Sequence, residues 1–265
     1  MTGRRRFPLV VGTLALAVGL AVVTSPSGAT SRAAPQERSP ALVERGRRLF
    51  VPGCSSCHGV RGRGVRTERG QFRGPSLRDA GEASAYYYLT TGRMPLPDPG
   101  QPPERKDPAY SPAEIDALVA YVGSLGDGPP VPAVDPRQGE LARGGELFRQ
   151  NCAPCHSATG AGGALSYGRS APTLSESEPR QVGSAVRIGP GQMPRFGRET
   201  ISDAELASIA AYVAYLRNPD DRGGVALGRI GPIPEGFFVW LVALGALVVA
   251  SVWIARRFQD PEEPA

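Results

Sequence analysis

Metal-binding side chains are scarce in this chain. Its 265 residues include four cysteines, two histidines and three methionines, one of which is the initiator. All the cysteines and histidines fall into one pattern that occurs twice, as Cys54-Ser55-Ser56-Cys57-His58 and as Cys152-Ala153-Pro154-Cys155-His156. A structural zinc site needs four such ligands and each copy offers at most three, so the scarcity argues against zinc. A thioredoxin-like pair does not require the trailing histidine and needs a βαβ setting that the sequence lacks.

The repeated pattern is the attachment signature of c-type haem. In C-x-x-C-H the two thiols add across the vinyl groups of the porphyrin, and the adjacent histidine binds the iron. The sequence therefore predicts two covalently bound haem c groups, one for each copy. The side chains predicted to hold them are Cys54, Cys57, His58, Cys152, Cys155 and His156. Because the thiols would become thioethers, no disulfide is expected.

The two methionines after the initiator are the predicted second ligands of the two irons. Met94 and Met193 each lie in a G-x-M-P context, 36 and 37 residues after the histidine of the same repeat. An isolated methionine is usually core filler, but two at matching offsets in matching loops indicate ligands. A histidine and a methionine fill both axial positions of the iron, which favours electron transfer over catalysis. Since each histidine already belongs to one motif, bis-histidine coordination within the chain is excluded.

A ligating histidine also needs an acceptor for its second ring N–H, because that hydrogen bond orients the imidazole. The expected acceptor is a backbone carbonyl in the loops at Pro75 and Pro172, which occupy matching positions after the two motifs. Glycine-rich stretches lie between each motif and its proline and would let the backbone approach the porphyrin closely.

The chain is a tandem repeat whose second haem motif begins 98 residues after the first. Ser111-Pro112-Ala113-Glu114 recurs as Ser202-Asp203-Ala204-Glu205, and each is a capping box followed by apolar residues at helical spacing. Ser39-Pro40 and Asp135-Pro136 each place a cap residue before a proline, which predicts the helices that lead into the haem motifs. We therefore expect a helical fold in which each module begins and ends with a helix.

These boundaries predict modules at residues 40–126 and 136–218, joined by a Pro-rich linker at 127–135 that acts as an extended, semi-rigid spacer. The first module carries about eight extra residues after its methionine, visible as the Pro-rich stretch 97–103. Modules of this size have small cores and commonly need a staple, so we expect neither to fold stably without its haem.

Two apolar runs frame the chain. Residues 7–23 are uncharged and follow three arginines, so residues 1–30 fit a signal peptide or an N-terminal membrane anchor equally well. Residues 219–236 form an irregular linker to a second uncharged run at 237–255, which predicts a transmembrane helix. Arg256-Arg257 follows at once and predicts a cytoplasmic C-terminus. The haem modules would then lie on the extracytoplasmic face of the plasma membrane, and membrane lipid would be a partner of the chain.

The charge of the chain argues against nucleic acid as a partner, and it includes one cluster of arginines with several possible roles. The net charge is +5, and only +3 of it belongs to residues 7–255, so the sequence gives no reason to expect nucleic acid binding. Six arginines follow the first haem motif and would hold haem propionates, dock an acidic partner, or simply remain solvated. They are Arg61, Arg63, Arg66, Arg69, Arg73 and Arg78.

The order of these motifs resembles class I cytochrome c modules, and more narrowly the dihaem cytochrome cc subunits of actinobacterial menaquinol–cytochrome c reductases (cytochrome bc complexes). The resemblance covers residues 40–257, and its more specific motifs are T-G-R-M-P at residues 91–95 and G-P-I-P-E-G at residues 231–236. It implies an all-α fold of two tandem class I cytochrome c domains, a C-terminal transmembrane helix and an N-terminal signal peptide or signal-anchor helix.

The resemblance also implies a function and partners. Such a subunit relays electrons from the cytochrome b and Rieske iron–sulfur subunits to cytochrome c oxidase in a supercomplex. The complex is an oxidoreductase and translocase of the respiratory chain, whereas the chain itself would have no substrate-converting site. By the same analogy the first haem accepts electrons from the Rieske centre and the second donates them to the copper site of the oxidase.

Two other functions remain open at this point. A freestanding, membrane-anchored dihaem carrier would have the same motifs without the reductase. A dihaem peroxidase needs an iron that can open a coordination position, which two closely matched methionine loops disfavour.

Overall fold

The computed structural model describes residues 39–68, 70, 72–219 and 232–257, and this part of the chain is mostly helical. The helices are α1 (Pro40–His58), α2 (Gly81–Thr90), α3 (Pro112–Gly123), α4 (Leu141–Asn151), α5 (Ala153–His156), α6 (Pro179–Ile188), α7 (Asp203–Arg217) and α8 (Pro232–Arg257). The predicted helical fold is confirmed. The proposed signal or anchor at residues 1–30 and most of the linker at 219–236 lie outside the described residues.

The structure adds two short antiparallel strand pairs that the sequence analysis did not predict. They are β1 (Val65–Arg66) with β2 (Phe72–Gly74), and β3 (Gly163–Ala164) with β4 (Ser170–Ala171). Each pair lies in the glycine-rich stretch after a haem motif. Strands of two or three residues are too short to show an alternating pattern, which explains why periodicity missed them.

Each module is built on a close crossing of its first and last long helices. Gly46 of α1 lies against the backbone carbonyl of Ala117 in α3, and Gly144 of α4 lies against that of Ser208 in α7. A Cβ at either glycine would overlap the facing carbonyl, so the helix axes can approach this closely only because the side chain is absent.

An aromatic pair packs one turn beyond each crossing. The ring centroids of Phe50 and Tyr121 are 5.0 Å apart in the first module, and those of Phe148 and Tyr212 are 5.3 Å apart in the second. Both phenylalanines are fully buried, and each lies within four residues of the first cysteine of its motif. The two cores are therefore related copies of one packing arrangement.

Helix caps agree with the sequence in three places and differ in one. The capping boxes at Ser111 and Ser202 are present, and Ser39 caps α1. Asp135, however, caps only a 3₁₀ turn, and α4 begins further on, at Leu141. Gly139, which follows the turn, packs against the carbonyl of Ala207, and this close approach separates the turn from the helix.

The Pro-rich segment between the modules packs against both of them. The N–H of Ala83 in α2 donates to the carbonyl of Pro129 over 3.0 Å. Further along, Pro132 and Val134 lie against Gly183 of α6. The segment is non-helical, as its prolines predict, and it contacts α2 and α6 rather than only spanning the distance between modules.

The C-terminal helix is the one candidate membrane span within the described residues. α8 begins at Pro232 and ends at Arg257, so it extends beyond the predicted run of 237–255 at both ends. The most apolar 18-residue window of its segment Ile233–Arg257 has a mean hydropathy of 2.5, and none of that window is buried. Large apolar side chains such as Trp240 and Trp253 are exposed, as expected for a helix that lies in lipid.

Alanine at Gly46 tests the close helix crossing. The added Cβ would meet the Ala117 carbonyl, and we expect Gly46→Ala to destabilise the protein by about 1–3 kcal/mol, as overpacking of a core does. Helix propensity alone would instead favour alanine by about 1 kcal/mol. Circular dichroism of the full chain in detergent gives the thermal midpoint.

Gly245→Ala in α8 is the matched control, since no described residue lies within 4 Å of the Cβ that it adds. A midpoint for Gly46→Ala equal to or above that of the control would contradict a tight crossing.

Candidate haem sites

The end of a helix presents each C-x-x-C-H motif. In the first module α1 runs without a break through Cys54 and Cys57 to His58, and Gly59 ends it with a φ of 75°. Side chains three and four residues apart share one face of a helix, so these three groups project to the same side. In the second module α4 ends at Asn151, and the separate short helix α5 carries the motif.

A glycine turns the chain back after each motif. Gly64 has a φ of 81° and donates its N–H to the carbonyl of His58 over 2.7 Å, and Gly162 has a φ of 90° and donates to the carbonyl of His156 over 3.0 Å. Both conformations lie in the left-handed region that favours glycine. The turn returns the following strand segment toward the histidine that precedes it.

This turn places a proline carbonyl beside each imidazole. His58 Nδ1 lies 2.9 Å from the carbonyl oxygen of Pro75, and His156 Nδ1 lies 3.0 Å from that of Pro172. A carbonyl oxygen only accepts, so Nδ1 is the protonated nitrogen and donates. Nε2 of the neutral ring then keeps its lone pair, and both imidazoles are oriented to bind a metal through Nε2.

His156 is also held in its neutral form. The side chain is 9% exposed, and burial lowers its pKa, although the hydrogen bond to Pro172 opposes part of this effect. A neutral imidazole is the form that binds metals.

The thiols are not arranged for dithiol redox chemistry. All four cysteines are unpaired and half-buried. Burial, reinforced by the neighbouring thiol of the same motif, raises the pKa of Cys54 to about 11 and that of Cys152 to about 11. Reactive C-x-x-C pairs depress a cysteine pKa instead, so these thiols resemble buried attachment points more than redox nucleophiles.

Both methionines join the core of their own module beside the first cysteine. Met94 and Cys54 pack against one apolar cluster built around Phe50, and Met193 and Cys152 pack against the corresponding cluster of the second module. The fold thus brings together, in each module, a cysteine and a methionine that lie about 40 residues apart in the sequence.

The two methionine loops differ in how they are covered. After the Pro-rich insertion of the first module, the chain folds back over the loop, where the Lys106 N–H donates to the Thr91 carbonyl over 3.2 Å and its Nζ donates to the Pro95 carbonyl over 2.8 Å. Arg93 is therefore buried, whereas Gln192 at the matching position of the second module is exposed. The insertion is visible in the sequence, but no local pattern shows where it lies.

A buried arginine braces the second methionine loop. Nη1 of Arg187 donates to the carbonyls of Phe196 over 3.1 Å and Ile201 over 2.7 Å, and Nη2 donates to Asp203 Oδ1 over 2.8 Å. Sequence reasoning missed this residue, because one arginine in the last turn of a helix is an ordinary C-terminal charge.

The arginine cluster after the first motif lies on the surface. Arg61, Arg63, Arg66, Arg73 and Arg78 are exposed, while Arg69 lies outside the described residues. The guanidinium of Arg66 lies 3.8 Å from the ring centroid of Phe72. The described members of the cluster are therefore surface charges.

The residues present fit a covalently attached haem c. Each module offers two thiols at a helix end, an imidazole oriented through Nδ1 and a thioether in the same core. Two such modules define a c-type cytochrome with tandem cytochrome c domains. The family model described as "Cytochrome c" matches residues 43–126, and the model described as "Cytochrome C oxidase, cbb3-type, subunit III" matches residues 139–213.

Curated relatives narrow this class further. The "Cytochrome bc1 complex cytochrome c subunit" of Mycobacterium tuberculosis is 39% identical over 94% of this chain and 89% of its own length. The proteins of the same name from Mycobacterium leprae and Corynebacterium diphtheriae are 38% and 36% identical, over 94% and 93% of this chain and 86% and 93% of theirs. The chain belongs to this family of cytochrome bc1 complex cytochrome c subunits, which confirms the resemblance found in the motif order.

Replacement of Arg187 tests the brace on the second methionine loop. Arg187→Met keeps much of the apolar length but leaves two backbone carbonyls without their donors. We expect a loss of about 2–4 kcal/mol in the free energy of unfolding. Denaturant unfolding of the full chain in detergent measures it.

Arg198→Met is the control, since Arg198 pairs with the same Asp203 carboxylate from an exposed position. Exposed ion pairs contribute at most about 1 kcal/mol, and equal losses in the two variants would contradict a bracing role for Arg187.

Proposed function

We propose that each module carries one covalently bound haem c with a histidine and a methionine as axial ligands. The attachment residues are Cys54, Cys57, Cys152 and Cys155, and the iron ligands are His58, Met94, His156 and Met193. The backbone carbonyls of Pro75 and Pro172 orient the histidines. The observation that carries the proposal is the repetition of the whole donor set, including the imidazole-to-carbonyl hydrogen bond, in two modules of different sequence.

A bound haem supplies a one-electron couple between ferrous and ferric iron. The chain's residues occupy both axial positions in this arrangement, and no coordination position remains for oxygen, peroxide or substrate. The polypeptide itself therefore relays electrons and has no substrate-converting site, although the complex it belongs to is an oxidoreductase. A thioether sulfur stabilises ferrous iron more than a second imidazole would, and so it raises the reduction potential of the haem. Both sites would therefore accept electrons more readily.

Contacts between the modules support a relay along the chain. Helices α2 and α6, which precede the two methionine loops, pack against each other. Nε2 of Gln181 donates to the Thr90 carbonyl over 3.3 Å, and the guanidinium of Arg180 lies 4.6 Å from the ring centroid of Tyr86. The methionine side of one module thus adjoins that of the other, which supports an intramolecular transfer.

Membership of the cytochrome bc1 complex cytochrome c subunit family supports a proposal for the partner proteins of this chain. We infer that the chain works in a quinol–cytochrome c reductase with cytochrome b and Rieske iron–sulfur subunits and passes electrons to cytochrome c oxidase in a supercomplex. The first module would accept electrons and the second would donate them. We infer no nucleic acid partner.

The topology follows from the apolar helix and its flanking charges. We propose that α8 spans the plasma membrane in contact with lipid, that Arg256-Arg257 keeps the C-terminus cytoplasmic, and that both haem modules are extracytoplasmic. The proposed boundaries are 1–30 for the signal or anchor, 40–126 and 136–218 for the haem modules, 127–135 and 219–236 for the linkers, and 237–255 for the membrane-spanning core.

Removal of one pair of thiols tests covalent attachment. We expect Cys54→Ser with Cys57→Ser to lose one of two haems, because each pair tethers its own porphyrin. Pyridine-haem absorption per mole of protein and haem staining after denaturing electrophoresis measure the stoichiometry. Cys152→Ser with Cys155→Ser is the matched variant, and extraction of the colour of the unaltered protein into acid acetone would show that no tether exists.

Exchange of a methionine tests the axial ligands. Met94→His and Met193→His should each remove one half of the weak red absorption band that marks methionine bound to ferric haem. A high-spin ferric haem in the unaltered protein at neutral pH would contradict the paired-ligand assignment for that module.

Purification in mild detergent tests membership of the complex. An affinity tag on this chain should bring down quinol-oxidising subunits in constant proportion, since a subunit is bound stably. Their complete absence from material that retains both haems would favour the freestanding carrier instead.

A further inference from the structure

Arg93 is a buried cation of the first methionine loop with one unpaired terminal nitrogen. It immediately precedes Met94 and is 7% exposed. Its Nη1 is fully buried and has no hydrogen-bond partner among the residues that the structure describes. The ring of Tyr87 lies beside it, with its centroid 5.1 Å from the guanidinium carbon. Burying an unpaired guanidinium is unfavourable, so this side chain requires an anion.

The charges around Arg93 do not supply that anion. Arg105 lies close enough for its pKa to be lowered, first by burial and then by the positive charge of Arg93. The acids near this pair are Glu176, whose largely exposed carboxylate lies 3.9 Å from Arg105 Nε, and Glu178, and both act on Arg105. The Nζ of Lys106, a third cation nearby, donates to a carbonyl. The described side chains around Arg93 therefore carry more positive than negative charge.

The second module lacks this feature. Gln192 takes the place of Arg93, and it is exposed because no insertion covers its loop. The buried arginine of that module, Arg187, uses both of its terminal nitrogens on backbone carbonyls and Asp203. A buried guanidinium with a free terminal nitrogen beside the methionine is thus specific to the first module.

Haem brings its own anions, because each porphyrin carries two propionate carboxylates. We propose that Arg93 binds a propionate of the first haem and thereby gives the two haems unequal midpoint potentials. The inference rests on the proposed function, since it needs haem in the first module. An arginine fork pairs with a carboxylate through two parallel N–H donors, and such charge-assisted bonds are strong in a buried site.

A propionate carboxylate stabilises the positively charged ferric form. Because Arg93 neutralises that carboxylate, it should raise the midpoint potential of the first haem, and its removal should lower it. In Arg93→Gln, which installs the residue of the second module, the ratio of reduced to oxidised first haem at a fixed ambient potential should fall about tenfold. That ratio corresponds to about 59 mV for a one-electron couple. Arg93→Lys retains the positive charge but not the two parallel N–H donors. In this variant the ratio of reduced to oxidised first haem should stay within about twofold of that in the unaltered protein.

The experiment is an equilibrium redox titration of the purified full-length protein in detergent, with resonance Raman spectra of the propionate bending modes. Met94→His identifies the first-module component of the titration. Gln192→Ala is the control at the exposed matching position and should move neither component. The bending band of the first haem should shift in both Arg93→Gln and Arg93→Lys.

Haem stoichiometry and the red methionine band, measured first, separate the two proposals. Absence of haem from the first module of the unaltered protein would overturn the proposed function. If both haems are present and methionine-bound, a potential in Arg93→Gln no different from that in Gln192→Ala overturns the inference about Arg93. An unshifted propionate band in both variants also overturns it. If Arg93→Gln does not accumulate, the band in Arg93→Lys decides.

Discussion

A glycine at the crossing of the first and last helices is the constraint on which each module depends. Gly46 and Gly144 let those helices approach to backbone contact. The haem motif follows the crossing by about two turns of helix, so the crossing sets where the thiols lie relative to the core that the methionine joins. Close packing leaves little room for adjustment, and a side chain at this point would displace the whole donor set.

The two modules share this frame but differ in how they shield the methionine. In the first, the segment around Lys106 closes over the loop and buries Arg93. In the second, Arg187 braces the loop from within and leaves Gln192 exposed. Charge and burial near a haem change its reduction potential. Two modules with the same haem-binding side chains but different surroundings can therefore have different reduction potentials.

Much of the fold could be predicted from the sequence. The capping boxes at Ser111 and Ser202 and the apolar spacing after them predict α3 and α7 correctly, because caps and helical periodicity are local signals. Asp135 shows the limit of such signals: it caps only a 3₁₀ turn, and α4 begins later, at Leu141, because Gly139 packs against a distant carbonyl between the turn and the helix. The strand pairs escaped prediction because they are too short to have a period.

The sequence by itself determined the attachment chemistry, the repeat and the apolar helix, because each is written in adjacent residues or in a regular spacing. Only the tertiary structure decided which carbonyl faces each imidazole, where the Pro-rich insertion folds and which arginine lies buried without an anion. Those features depend on contacts between segments far apart in the chain, and the electrostatic environment of a buried group is set by its neighbours in space rather than in sequence.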